Sequence, residues 1–250
     1  MKLRGSAILI LLFLVLSARP VFADISDKKD SDQDGISDYD EINIYKTDPY
    51  KKDTDGDGYE DWLELNKGYS PSVNKPLKLE ESDFDGDGLN DRLELKFHSD
   101  LKNKDTNGNG VVDGKEVELG YDPARPDKTK LEKIIKIDKV NQVLTYFLNE
   151  VKMGEYKVST GVKNYTPKGE YKIVNKSPKA WSPYGLWMPW WMGLGSGKFG
   201  IHELPIWPNG YREGENHLGK AVSHGCVRLG VGPAKKLYDW AEVGTKVIIN

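Results

Sequence analysis

The chain has 250 residues, 30% charged and 38% hydrophobic, with a formal net charge of -3 and a single cysteine. That length allows one large domain or two modest ones, and the low apolar fraction implies a segment without a full core of its own. One cysteine excludes an intramolecular disulfide framework and any zinc site built on several thiolates. The net charge hides an asymmetry: residues 24–127 hold 29 Asp and Glu against 14 Lys and Arg, whereas residues 128–250 hold 10 against 19. An acidic half joined to a basic half implies two different jobs.

The first residues have the pattern of an export signal. Lys2 and Arg4 supply a positive start, Ala7 to Leu16 is an unbroken apolar run, and Val21-Phe22-Ala23 places small residues at a cleavage site. Ten apolar residues fall short of the roughly 18 needed to span a bilayer. The expectation is a cleaved signal at 1–23, no stable membrane span afterwards, and a location outside the cytoplasm, periplasmic or cell-wall associated.

Residues 24–126 contain an internal repeat. Asp30, Asp32, Asp34, Gly35, Asp38 and Glu41 occupy positions 1, 3, 5, 6, 9 and 12 of a loop. The frame returns at Asp53, Asp55, Asp57, Gly58, Asp61 and Glu64, and again at Asp83, Asp85, Asp87, Gly88, Asp91 and Glu94. A fourth copy reads Asp105, Asn107, Asn109, Gly110, Asp113 and Glu116. Alternate side chains of such a loop turn their oxygens inward, and glycine at position 6 permits the sharp bend. Ile36, Tyr59, Leu89 and Val111, at position 7, each offer a main-chain carbonyl, and the glutamate at position 12 can close the site. An all-oxygen set of six or seven ligands suits Ca²⁺, so all four loops are expected to bind it, as a structural ion. Short helical stretches such as Trp62 to Asn66 follow each loop, with no full helix before it. With turn residues such as Thr47-Asp48-Pro49 and Tyr121-Asp122-Pro123, the segment resembles bacterial thrombospondin type 3 repeats, which implies a calcium-stiffened stalk.

The remainder reads as mostly β. Apolar runs at 134–137, 143–148, 156–159, 170–174 and 199–202 predict strands. Pro233 to Val243 predicts one helix with proline in its first turn, and Thr245 to Ile249 a closing strand. The run containing Trp181, Trp187, Trp190, Trp191 and Met192 reads either as core packing or as a cleft wall.

Cys226 stands in Ser223-His224-Gly225-Cys226-Val227-Arg228, with His202, His217 and His224 as possible bases. A thiol attacks as its thiolate, so an activated Cys226 should titrate below the free value of about 8.5. Main-chain N–H groups around Gly225 could steady an oxyanion, as acyl transfer demands. The sequence resembles the L,D-transpeptidases with a YkuD-type catalytic domain. The matching stretches are Ser159-Thr160-Gly161, Thr166-Pro167-Lys168-Gly169, Gly200-Ile201-His202 and the run from Gly219 to Leu229. The resemblance implies a β-rich, sandwich-like domain that cross-links peptidoglycan stem peptides. Cys226 would form a thioacyl-enzyme, His202 would move the proton, and the Gly225 and Cys226 amides would hold the oxyanion. Arg228 would organise the pocket or hold a substrate carboxylate, and Ser223 and His224 would shape the site. The 20 residues between His202 and Ser223 form a longer stretch than the family suggests, and His217 within it is an alternative base.

The expected architecture is multi-domain. A mostly β, sandwich-like catalytic domain with one helix at 130–250 follows EF-hand-like calcium-loop repeats with short helices at 24–126. The function expected is an exported cysteine L,D-transpeptidase with peptidoglycan as partner and no catalytic cofactor. The alternatives are an L,D-carboxypeptidase or other wall hydrolase, and a non-catalytic calcium-dependent wall-binding protein. Nucleic acid is not an expected partner, since no reading motif is present.

Overall fold

The computed structural model describes residues 29–196 and 198–250; the export signal expected at 1–23 lies outside the described residues. The repeat region carries four short helices: α1 (Asp38–Asp40, continued by a π-helical turn over Glu41–Tyr45), α2 (Asp61–Lys67), α3 (Asp91–Phe97) and α4 (Asp113–Leu119). Each begins with the position-9 aspartate of its loop. That residue does not face the loop centre. Its Oδ1 accepts the N–H of the position-2 residue, from Ser31, Thr54, Phe84 and Thr106 at 2.7 to 3.0 Å, and so ties the loop to its helix. Glycine is required at position 6, where φ is +106°, +100°, +97° and +88° in the four copies.

The four loops form two pairs. In the first, the Trp62 N–H donates to Asp34 Oδ2 (3.3 Å); in the second, the Gly114 N–H donates to Asp87 Oδ2 (2.7 Å). A short antiparallel bridge closes each pair, Tyr69 to Lys78 and Tyr121 to Lys130. The unit of repetition is therefore a loop pair.

Eight strands follow: β1 (Lys133–Asp138), β2 (Val143–Leu148), β3 (Val151–Ser159), β4 (Gly169–Trp181), β5 (Trp187–Leu194), β6 (Phe199–Glu203), β7 (Val227–Leu229) and β8 (Lys246–Ile249). One α-helix, α5 (Pro233–Trp240), packs beside them. The strands close into a barrel in the order β1-β2-β3-β7-β6-β5-β4-β8, not the sandwich expected. Closure comes from two strands that serve both sides. β4 pairs with β8 over Gly169–Lys172 and with β5 from Ile173 onward, with a register break between Ile173 and Asn175. β3 pairs with β2 and then, through Val158 and Ser159, with β7. A long strand that bends at such a break passes from one sheet to the next and leaves no open edge. The barrel interior holds Ile135, Ile137, Leu144, Val158, Met192, Leu194, Ile201 and Val227, all fully buried, and Leu237 of α5 joins them.

The repeat region and the barrel share a second apolar cluster. Leu89, Phe97 and Val117 from the repeats meet Leu148 of β2, with Leu131, Val151, Met153 and Trp240 around them. Lys133 donates to the Trp240 carbonyl (2.9 Å) and pairs with Glu242 (3.0 Å) at the same joint. Leu148→Ala should therefore destabilise the protein by about 2–5 kcal/mol, measured by urea unfolding. A change no larger than that of an exposed substitution would show that the joint is not a packed core.

Candidate active site and metal loops

The Ser-His-Gly-Cys stretch is a loop that enters β7, clamped from three directions. Ser223 N–H donates to the Thr160 carbonyl (2.9 Å), and Val162 N–H returns to the Ser223 carbonyl (3.0 Å). Thr166 Oγ1 accepts from Gly161 N–H (2.7 Å) and donates to the Gly225 carbonyl (2.8 Å). The Gln142 amide holds Thr160 in turn, through both its main-chain N–H and its hydroxyl. Gly225 sits at φ +132°, where a side chain would be strained and its Cβ would lie 3.2 Å from the Tyr165 carbonyl oxygen. The Thr-Gly and Thr-Pro-Lys-Gly motifs thus support the Cys226 loop. Thr166 and Gln142 did not stand out as site residues from the sequence alone.

Cys226, His202, Ser223, His224 and Arg228 line one cavity, together with Tyr184, Met188, Trp191, Phe199 and Lys198. β6 and β7 run parallel with His202 opposite Arg228 in register, so strand pairing brings together residues far apart in sequence. His202 is buried, with Nδ1 2.5 Å from the carbonyl oxygen of Glu203. A carbonyl can only accept, so Nδ1 carries the hydrogen and Nε2 is left with its lone pair. Glu203 is held by Arg212, and Tyr184 stacks on His224 with ring centroids 4.4 Å apart. His217 lies outside the cavity lining, its Nδ1 3.2 Å from Glu213. Of the two histidines weighed as base, His202 is the one that lines the same cavity as the thiol.

Three expectations need correction. The Gly225 N–H donates to Ser223 Oγ (3.1 Å), whose hydroxyl donates to the Cys226 carbonyl (2.6 Å); the Gly225 amide is therefore engaged in shaping the loop, and Cys226 N–H is the remaining oxyanion donor. The guanidinium of Arg228 is already paired with Glu213 (2.5 Å), so it is not a free receptor for a carboxylate. The Cys226 thiol is not pre-ionised: burial raises its pKa above the ordinary value, against weaker opposing effects of the Gly200 main chain and Arg228. Burial likewise lowers His202 to about 4, and the neighbouring Arg228 adds to that. Burial thus favours the neutral form of both the thiol and the imidazole.

The first three loops contain carboxylate oxygens that are buried and lack any hydrogen-bond partner: Asp32 Oδ2, Glu41 Oε2, Asp55 Oδ2, Glu64 Oε2, Asp85 Oδ2 and both oxygens of Glu94. In each loop the aspartates at positions 1, 3 and 5 converge, with one oxygen from each within 4.8 Å of the others. Desolvation first, then the neighbouring aspartates, push Glu41 up to about 7, Glu64 to about 8 and Glu94 to about 9. Buried anions without donors are what a hard divalent cation would satisfy, so these residues fit calcium. The fourth loop differs: its Glu116 accepts from Asn107 Nδ2 (2.8 Å) and Asn109 Nδ2 (2.7 Å).

The burial of His202 has a consequence for pH. Its folded value of about 4 lies below the ordinary 6.5, so on acidification the unfolded chain takes up this proton first. The stabilisation is complete above about pH 6.5 and is lost as pH falls through about 4, roughly 3 kcal/mol in all. Urea unfolding of His202→Gln should accordingly fall less steeply between pH 7 and 4 than that of the wild type. Parallel slopes would mean that the imidazole is not held neutral.

The chain is similar to known proteins in both of its parts. The L,D-transpeptidase catalytic domain family matches residues 132–249, and the bacterial TSP3 repeat matches 30–52, 53–68 and 83–100. A Bacillus subtilis protein named L,D-transpeptidase YkuD is 30% identical over 132 residues, covering 51% of this chain and 72% of that protein. The protein of the same name from Bacillus licheniformis is 31% identical over 96 residues, 38% of this chain and 52% of that one. Among solved structures, an L,D-transpeptidase from Stackebrandtia nassauensis is 30% identical, with a TM-score of 0.40 over 48% of this chain and 55% of that chain. This chain therefore spans only about half the length of two of these three relatives. On its catalytic domain and on the Bacillus subtilis relative, the chain belongs to the family of L,D-transpeptidases with a YkuD-type catalytic domain, here preceded by bacterial TSP3 repeats.

Proposed function

We propose that the protein is an exported cysteine L,D-transpeptidase that forms peptidoglycan cross-links, carried on a calcium-stiffened stalk. The observation that carries this reading is the cavity in which Cys226 meets His202, whose tautomer is set by the Glu203 carbonyl. As Cys226 Sγ attacks a carbonyl of the donor stem peptide, His202 Nε2 takes the thiol proton and a C–S bond forms. The Cys226 N–H meets the oxyanion. The C–N bond to the terminal D-amino acid then breaks, and the imidazolium returns its proton to the leaving amine. An acceptor amine next attacks the thioester with His202 as base, a new amide forms, and sulfur leaves as thiolate to be reprotonated by the imidazolium. Export is supported by the sequence pattern at 1–23, and no helix among the described residues is long and apolar enough to cross a membrane.

Incubated with tetrapeptide muropeptides, the wild type should yield cross-linked dimers with release of the terminal residue, and Cys226→Ala should yield none. Tripeptide monomers alone would reassign the reaction to hydrolysis, with water as acceptor. Undiminished dimer formation by Cys226→Ala would reject the cysteine mechanism.

Calcium would be held by Asp30, Asp32, Asp34, Glu41 and the Ile36 carbonyl in the first loop. The second and third would use Asp53, Asp55, Asp57, Glu64 and the Tyr59 carbonyl, and Asp83, Asp85, Asp87, Glu94 and the Leu89 carbonyl. The cation would supply the positive charge these buried carboxylates lack. Each occupied site should add about 2.7 kcal/mol at calcium one hundred times its dissociation constant, seen as a rise in Tm that chelator reverses. Superimposable melting curves with and without chelator would dispose of the calcium reading.

A further inference from the structure

We propose that the fourth loop is closed by its own asparagine amides rather than by a cation, so that the repeats hold three calcium ions and the fourth loop is their cation-independent joint to the barrel. The inference rests on the calcium reading of the first three loops and departs from it at Asp105, Asn107, Asn109, Val111 and Glu116.

The three acidic loops serve as internal controls. Glu41, Glu64 and Glu94 each keep at least one buried oxygen without a donor, whereas both oxygens of Glu116, equally buried, receive an amide N–H. The substitution responsible is a single atom type at two positions: where loops one to three have a carboxylate oxygen, loop four has an NH₂ group. The backbone fixes which way those amides face. Asn107 Oδ1 accepts the N–H of Asn109 (3.0 Å), and Asn109 Oδ1 accepts that of Val111 (2.8 Å). Turning either amide round would set an NH₂ against a main-chain N–H and leave Glu116 without its donor. Asn107 Nδ2 also reaches the Arg125 carbonyl (3.1 Å), which fastens the loop to the segment leading into the barrel. A cation entering here would have to displace both amide bonds to Glu116, with two fewer charges to attract it than at the aspartate-rich loops.

The closed loop also has somewhere to transmit its rigidity. Its helix α4 supplies Val117 to the cluster around Leu148, and Leu131 N–H donates to the Gly120 carbonyl (2.8 Å) at the end of α4. In the other direction the Gly114 N–H holds Asp87 Oδ2, so loop four orients a ligand of loop three before any ion arrives. The two loop pairs therefore differ: the outer pair takes two ions, and the barrel-side pair takes one.

Two measurements on the whole chain decide this. Equilibrium dialysis with radioactive calcium should count three ions for the wild type, two for Glu64→Gln and four for the double variant Asn107→Asp, Asn109→Asp. Hydrogen exchange in chelator should leave the amides of 105–122 as protected as in calcium, while those of 30–68 lose protection. A wild-type count of four would overturn this inference and leave the calcium reading standing, and a double variant that stays at three would overturn the role given to the two amides. No bound calcium at all would overturn the calcium reading, and the exchange arm would then decide the closure by itself: persisting protection at 105–122 supports it, and loss of protection in chelator overturns it.

Discussion

Removing an ionisable side chain from water costs several kcal/mol unless a partner replaces the lost hydration. Both halves of this chain are organised by that cost, and they meet it in opposite ways. In the barrel, His202 and Cys226 become neutral, since burial drives the imidazole down to about 4 and the thiol upward. In the acidic loops, neutralisation by proton alone is a poor solution, because several carboxylates crowd one centre and each resists the charge of the others. Glu41, Glu64 and Glu94 each keep at least one buried oxygen without a donor, and Glu116 is the one position-12 glutamate of the four whose two oxygens are both answered from within the protein.

That preference for the neutral forms bears on how the cysteine loop is built. A pre-formed thiolate would tolerate a looser site, since its charge alone attracts donors. A neutral thiol that must lose its proton at the moment of attack needs an imidazole fixed in tautomer and orientation. The Glu203 carbonyl sets the tautomer, and the β6–β7 register sets the approach. On the other side, Ser223, Thr166 and the Gly225 backbone hold the loop with short hydrogen bonds. Ser223 is therefore better understood as the clasp of the loop than as part of the cavity wall alone.

Much of this was legible in the sequence because it is local. Alternating apolar runs located β1, β2, β6 and α5 to within a few residues, and the loop frame placed all four position-12 glutamates. Pairing was not legible. The sequence shows that β4 is apolar at its start, but not that its 13 residues serve two neighbours in turn, so a sandwich was expected where the strands close into a barrel. The tryptophan run serves both expected roles, Trp191 lining the Cys226 cavity and Met192 the core, but the sequence did not show that Trp187 to Leu194 is strand β5. Its aromatic content obscured the alternation that marks a strand. Two other failures arose from counting donors without their partners. An N–H at Gly225 and a cation at Arg228 look available until Ser223 and Glu213 are seen beside them.

The joint between the halves separates their roles. None of the residues of the shared cluster (Leu89, Phe97, Val117, Leu148 and their neighbours) lines the Cys226 cavity. Around the barrel, β3 intervenes between β2 and β7. The joint and the cysteine cavity are therefore built from different residues of the barrel. If the repeats present the enzyme to a polymer, as proposed, one end must stay fixed to it, and the amide-closed loop would supply that end without depending on an ion. The third loop shares that joint through Leu89, and its helix through Phe97, so on the calcium reading only the first two loops would set the stiffness of the remainder.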